Sequence, residues 1–328
     1  MPIAVHTTRA GGPEVLTAVD VPRPAPGPGK LLVEVAAVGV NFIETYQRSG
    51  VYPVEHPFVP GSEASGTVVE LGPGVEDFAV GDRVATTEGT GTYAEYTVLS
   101  AEKALRVPDG VPLDVAGALP LQGMTAHYLV NSSYAVQAGD TALCYAGAGG
   151  VGLLLIQLLK LKGATVITTT STPGKAALAR AAGADHVLDY DDVPHRVREL
   201  TGGRGVDVVY DGIGKDTFEH SLDALRIRGT LVLFGGASGQ VPPFDLQQLN
   251  AHGSLTVTRP KLNDFLLDAE ERAWRSGELF SLVAEGRLDV RIGGRFPLAD
   301  AGLAHTELES RRTTGKLVLE PSAAGQDG

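Results

Sequence analysis

The chain has 328 residues, 43% hydrophobic and 20% charged, with a net charge of −12. This describes a globular protein large enough for two domains, and the acidic balance disfavours nucleic acid and acidic membrane surfaces, which need clustered Lys and Arg. The single cysteine, Cys144, excludes an internal disulfide, and no apolar run is long enough to cross a bilayer, so a cytoplasmic protein is expected.

From Met1 to about Pro120 the texture is β-rich and shows no long helical period. Strands are predicted over 30–40, 66–71, 81–85 and 92–98, with turn signals such as Gly72-Pro73-Gly74 between them. Short strands at this spacing suggest a compact barrel or sandwich. A helix is predicted from Leu121 to Val130, and strands and helices then alternate. The strands fall at 141–145, 165–168, 186–189, 206–211 and 229–235, with helices after the glycine loop and near 175–182, 193–200 and 217–225. That alternation predicts a parallel sheet covered on both faces, the doubly wound arrangement. A further strand candidate, Ser254–Thr258, precedes a long helical segment through Trp274 to Val283. β-texture returns from Arg287 to Leu319, and residues 322–328 read as a frayed end. The expected domains are therefore 1–121 plus 288–328, β-rich, with 122–287 inserted as a nucleotide-binding α/β domain.

The motif carrying the chemistry is Ala146-Gly147-Ala148-Gly149-Gly150-Val151-Gly152, a G-x-G-x-x-G turn between an apolar strand and an apolar helix. Gly147 suits the tight turn, Gly149 lets backbone approach a pyrophosphate, and Gly152 lets the helix lie close on the strand. The phosphates would rest on the N–H groups that open the helix, at Gly150 and Val151. An acid about 20 residues on holds the ribose of NAD. Here no Asp or Glu occurs between Gly152 and Asp185; instead Thr169, Thr170, Ser171 and Thr172 end the next strand, with Lys175 behind. Hydroxyls and a lysine accept a 2′-phosphate that an acid would repel, which points to NADPH. The eight histidines are scattered without a pair at ligand spacing, so no metal is expected.

Several stretches resemble the zinc-independent quinone oxidoreductases, the zeta-crystallin-like branch of the medium-chain dehydrogenases/reductases. They are Gly11-Gly12-Pro13-Glu14-Val15-Leu16, Gly39-Val40-Asn41-Phe42-Ile43-Glu44-Thr45-Tyr46, Arg48-Ser49-Gly50-Val51-Tyr52-Pro53 and the glycine loop. The resemblance spans nearly the whole chain. It implies a Rossmann domain inserted into a GroES-like barrel domain, and NADPH-dependent reduction of quinones by hydride or single-electron transfer. It also implies a homodimer formed through edge strands of the nucleotide domain, here Ser254–Thr258. Zinc-dependent relatives carry a cysteine near the place of Asn41 and Gly-His-Glu where this chain has Gly61-Ser62-Glu63. By the same resemblance Tyr190 assists Lys175 at the 2′-phosphate. Thr125, Phe234, Gly235 and Asn41 lie near the nicotinamide or its ribose, and Lys316 approaches the cofactor.

Reduction builds negative charge on the acceptor oxygen. Asn41, Tyr46 and Tyr52 can offer donors to it, and Arg48 or Arg259 positive charge. Two other functions fit the same sequence. One is an enone or enoyl reductase acting on conjugated carbonyls; the other is a non-catalytic NADPH- or RNA-binding crystallin-like protein, against which the charge of −12 argues for the RNA case.

Overall fold

In the computed structural model the described residues are Met1–Pro321; the tail read above as frayed, 322–328, lies outside them. The chain divides into two compact units, Met1–Gln122 with the segment from Asp268 onward, and Gly123–Leu267. The second boundary falls about twenty residues earlier than the sequence suggests, because the helix Ala269–Ala284 belongs to the first unit. Its Arg272 pairs with Glu88 at 2.8 Å, and Glu88 pairs with Lys103 at 2.9 Å.

The second unit is built on six parallel strands in the spatial order His186–Leu188, Thr165–Thr169, Thr141–Cys144, Val206–Asp211, Leu225–Leu233 and Thr256–Thr258. Numbered along the chain, that order is 3-2-1-4-5-6, the dinucleotide-binding arrangement whose crevice opens where the winding reverses, between Thr141–Cys144 and Val206–Asp211. These strands read as continuous apolar runs because both faces are covered. Leu143, Val209 and Leu231 are fully buried in one cluster with Val197 and Leu222 from the covering helices. Cys144 is likewise buried, and burial pushes its thiol up to about 12, so it packs as an apolar residue.

The first unit has a seven-stranded sheet organised on Lys30–Val40. One half of this strand pairs with Tyr96–Ser100, the other end with Lys316–Glu320, and the opposite edge with Glu63–Leu71, all antiparallel. A strand that changes partner along its length curls the sheet toward a barrel, the GroES-like form. Three helices interrupt the β-texture that the sequence suggested: Phe42–Ser49, Leu113–Ala118 and Ala301–Glu309. They are six to nine residues long, too short for periodicity to register. The first nevertheless carries end signals, with Glu44 accepting the Asn41 N–H at 2.8 Å and Gly50 left-handed at φ 82°.

Candidate active site

In the second unit, Thr141–Cys144 leads into the glycine loop and the helix Gly150–Leu161. The end of the neighbouring strand holds the loop. Thr169 Oγ1 accepts the Ala146 N–H at 3.2 Å, Thr169 O accepts the Gly147 N–H at 3.0 Å, and Thr168 Oγ1 donates to Cys144 O at 2.5 Å. A Cβ on Gly147 would stand 2.1 Å from Thr168 Oγ1, and one on Gly152 2.4 Å from Ala146 O. A Cβ on Gly149 would meet only Ala146 O, at a tight 3.3 Å, and no other atom within 4 Å. Gly149 is the N-cap and brings no side chain to the helix start, whose N–H groups face that space. This cradle fits a pyrophosphate.

Beyond Thr165–Thr169, Ser171 is exposed and Thr172 caps the helix Pro173–Ala181, which carries Lys175 in its first turn. The first acid after the loop, Asp185, sits at the far end of the strand, accepting from Val166 N at 2.7 Å and pairing with Lys160 at 2.8 Å. It cannot serve the ribose. Tyr190 is half-buried and stacks on Tyr145 with ring centroids 6.3 Å apart. Phe234 and Gly235 both donate backbone N–H to Asp211 O, at 2.9 and 3.3 Å. Gly235 lies so close on Gly212 that a Cβ there would be 2.4 Å from Gly212 O. Sequence reasoning missed Asp211. Its buried carboxylate accepts from Ile213 N, Gly214 N, Thr217 Oγ1 and Ser221 Oγ within 3.0 Å, fixing the loop at the crevice. Thr125 is buried on the helix Pro120–Tyr128, and Arg259 is exposed with Nη1 3.4 Å from Pro260 O.

In the first unit, three strands bring their ends together: Asn41 follows Lys30–Val40, Glu63 opens Glu63–Leu71, and Lys316 opens Lys316–Glu320. The register sets Glu63 opposite Gly39 and Leu317 opposite Val40. Lys316 Nζ donates to Asn41 Oδ1 and Glu63 Oε2, both at 2.5 Å. Asn41 Nδ2 donates to Glu63 Oε2 at 3.0 Å and Gly39 O at 3.2 Å, and Leu121 N donates to Glu63 Oε1 at 2.7 Å. Gly39 has to be glycine, since a Cβ would overlap the Glu63 carboxylate. Lysine only donates, so the Asn41 oxygen faces Lys316 and both its amide protons are spent inside the cluster. Asn41 is thus a strut, with its amide protons engaged by Gly39 O and Glu63 Oε2 in this arrangement. Lys316 is likewise committed to Asn41 and Glu63, and is 1% exposed.

Beside this cluster lies Glu44, fully buried, whose Oε2 holds the Asn41 N–H and whose Oε1 accepts from Ser62 Oγ at 2.8 Å and Ser62 N at 3.2 Å. Burial pushes its pKa up to about 7 against the pull of Ser62 and Lys316. Neither Glu44 nor Ser62 stood out as chemistry in the sequence; the signal available was Asn41-x-x-Glu44, a capping pattern directly after a strand. Tyr46 is half-buried and meets Tyr52 edge-on at 5.4 Å, with Tyr52 45% exposed. Arg48 is tied into the first unit. It is buried, paired with Glu309 at 2.9 Å, and donates to His305 Nδ1 at 3.1 Å and Gly11 O at 3.1 Å.

Together the 3-2-1-4-5-6 sheet, its glycine cradle and the GroES-like sheet define a nicotinamide-dependent medium-chain dehydrogenase/reductase. Residues 27–109 match the alcohol dehydrogenase GroES-like domain model and 150–269 the zinc-binding dehydrogenase model. A quinone oxidoreductase of Pseudomonas aeruginosa is 47% identical, covering 95% of this chain and 97% of its own. A 2-haloacrylate reductase of a Burkholderia species is 42% identical over 98% of this chain and the whole of its own. The Escherichia coli quinone oxidoreductase solved in complex with NADPH superposes with a TM-score of 0.95 at 42% identity, covering 97% of this chain and all of that one. The chain belongs to the quinone oxidoreductase family, in its zinc-independent, zeta-crystallin-like branch.

The zinc named in one matching model does not fit these residues. Asn41, Ser62 and Glu63 offer no thiolate or imidazole, and the Lys316 ammonium stands between Asn41 and Glu63. Among the described residues no group of three or more His, Cys, Asp or Glu side chains is placed to hold a metal ion.

Proposed function

We propose that this protein is an NADPH-dependent quinone reductase that works without a metal. The observation that carries this is the glycine cradle followed by a strand that runs on to Ser171 and Lys175, with no Asp or Glu in the chain between Gly152 and Asp185. Gly147, Gly149, Gly150, Val151 and Gly152 hold the pyrophosphate, Ser171, Lys175 and Tyr190 the 2′-phosphate, and Thr125, Phe234 and Gly235 the nicotinamide end. When bound, the cofactor supplies a hydride equivalent. The chain's own groups bind and orient it, and in the first unit Tyr46 and Tyr52 present aromatic surface for a flat acceptor. No described helix is long and apolar enough to cross a membrane. Among the described residues Thr256–Thr258 pairs only with Leu225–Leu233 and its other edge suits a second copy, so a homodimer, in the cytoplasm, belongs to this reading. The charge of −12 makes nucleic acid a poor partner.

The 42% identity to a 2-haloacrylate reductase favours a second reading, reduction of a conjugated carbonyl at its β-carbon. The test is NADPH oxidation, followed by the nicotinamide absorbance, with a benzoquinone, a naphthoquinone and an enone, each repeated with NADH. Quinone turnover with NADPH supports the proposal. Turnover of the enone alone moves the function to the second reading, and preference for NADH overturns the cofactor assignment.

A further inference from the structure

Reduction of a quinone by a hydride equivalent leaves one oxygen anionic, and a proton must reach it to complete the hydroquinone. Burial, hydrogen-bond direction and a cavity in the first unit together identify its source. The cavity holds about 630 Å³ and is bounded by residues of that unit alone, among them the apolar Val54, Phe58 and Val59 and the polar Gln47 and Ser62. Ser62 is half-exposed where it lines this space, while Glu44 behind it is sealed from solvent.

We propose that Glu44, acting through the hydroxyl of Ser62, supplies the proton that completes quinone reduction, with the quinone oxygen seated in this cavity against Ser62. The proposal rests on the quinone-reductase reading above. The 2.8 Å contact between Ser62 Oγ and Glu44 Oε1 serves both charge states. With Glu44 ionised the hydroxyl donates inward. With Glu44 protonated the carboxyl donates to Ser62 Oγ, and the hydroxyl turns its own proton toward the cavity. In the transfer the Ser62 O–H bond breaks as the new O–H bond forms on the acceptor, and the Glu44 O–H bond breaks to restore the serine. The electron pair is the one a bound cofactor would supply as hydride, so that quinone, hydride and one proton balance hydroquinone. Backbone N–H groups of Asn41 and Ser62 keep the carboxyl aimed throughout. Solvent reprotonates Glu44 through the same hydroxyl after product leaves.

Lys316 acts on Glu44 directly, Tyr93 feels Glu44 together with Glu63 and Arg48, Arg48 lies one turn along the Glu44 helix, and Glu55 lines the cavity. Burial outweighs the opposing pull of Ser62 and of Lys316, itself paired with Glu63 at 2.5 Å, and sets the Glu44 equilibrium near neutrality. That is where a general acid works best.

Two measurements test this. Infrared difference spectra of the cofactor-free protein should show a protonated carboxyl band that titrates near pH 7 and is missing in Glu44→Gln. In turnover with NADPH and a benzoquinone, kcat/KM should fall as pH rises through about 7. Glu44→Gln and Ser62→Ala should each lose about 10²-fold and the pH dependence with it, NADPH affinity being unchanged. Ser62→Ala leaves Glu44 with both backbone donors, so it reports on the relay even if Glu44→Gln folds poorly. A wild-type rate flat through pH 7, or variants that keep the wild-type profile, overturns the proposal. A wild-type protein that oxidises NADPH with no quinone, while the Glu44 band still titrates, overturns the quinone-reductase reading and this one with it.

Discussion

Lys316 and Glu63 form an ion pair 2.5 Å long in which neither side chain reaches solvent, at 1% and 0% exposure. An intact buried pair contributes little net stability, but losing one partner strands the other charge. Lys316→Met should therefore destabilise the protein by about 3–5 kcal/mol in chemical denaturation. Adding Glu63→Gln should recover part of that loss. A Lys316→Met midpoint equal to that of the wild type would contradict the account.

His305 predicts an acid-sensitive stability. Arg48 can only donate, so His305 Nδ1 is an acceptor and its proton sits on Nε2, facing the Tyr93 hydroxyl at 3.0 Å. Burial, then the Arg48 charge, holds its pKa down from 6.5 to about 3. The unfolded chain thus binds a proton that the folded one refuses, and this contribution is present above pH 6.5 and lost as pH falls toward 3. Glu44 runs the other way: its raised pKa gives stability present below pH 4.5 and lost as pH rises through about 7. Only a comparison isolates the histidine. His305→Gln can accept from Arg48 and donate to Tyr93 without titrating, so its denaturation free energy should fall less steeply between pH 6.5 and 4, by up to about 1.4 kcal/mol per pH unit. Parallel curves would refute the assignment.

Two glycines of one loop should fail in different ways. A Cβ at 152 meets Ala146 O at 2.4 Å and Gly147 Cα at 2.9 Å, all backbone, so Gly152→Ala should lose about 1–3 kcal/mol of stability. A Cβ at 149 meets only Ala146 O at 3.3 Å, so Gly149→Ala should lose less stability than Gly152→Ala and chiefly lose NADPH affinity. Thermal melts beside fluorescence titration separate the two effects.

Lys175→Ala should weaken NADPH binding by about 10–100-fold and leave NADH binding unaltered, because a hydrogen bond to a charged group contributes about 1.5–3 kcal/mol. Ser171→Asp should act in the same direction by repelling the phosphate. Equal losses for both nucleotides would show that these residues do not read the 2′-phosphate.

Much of the second unit was legible in the sequence, because parallel strands buried on both faces write themselves as apolar runs between helices. Thr141–Cys144, Val206–Asp211 and the glycine loop stand within a residue of where the pattern puts them. The helices Phe42–Ser49 and Ala301–Glu309 were not, since so few turns give no measurable period. Asn41 illustrates the limit at the site. Its identity marks a polar position, but the direction of its amide depends on Lys316, 275 residues away.

The sequence by itself determined the fold class and the glycine turn between strand and helix, because each rests on neighbours along the chain: glycine spacing and a strand followed by a helix within one βαβ unit. Tertiary structure alone decided which polar groups are spent and which hold a proton. Arg48 became a buried tie, Asn41 a strut and Glu44 a carboxyl near neutrality because burial and partner distance set the cost of a charge. Both are properties of residues that meet only after three strands from distant parts of the chain are laid side by side.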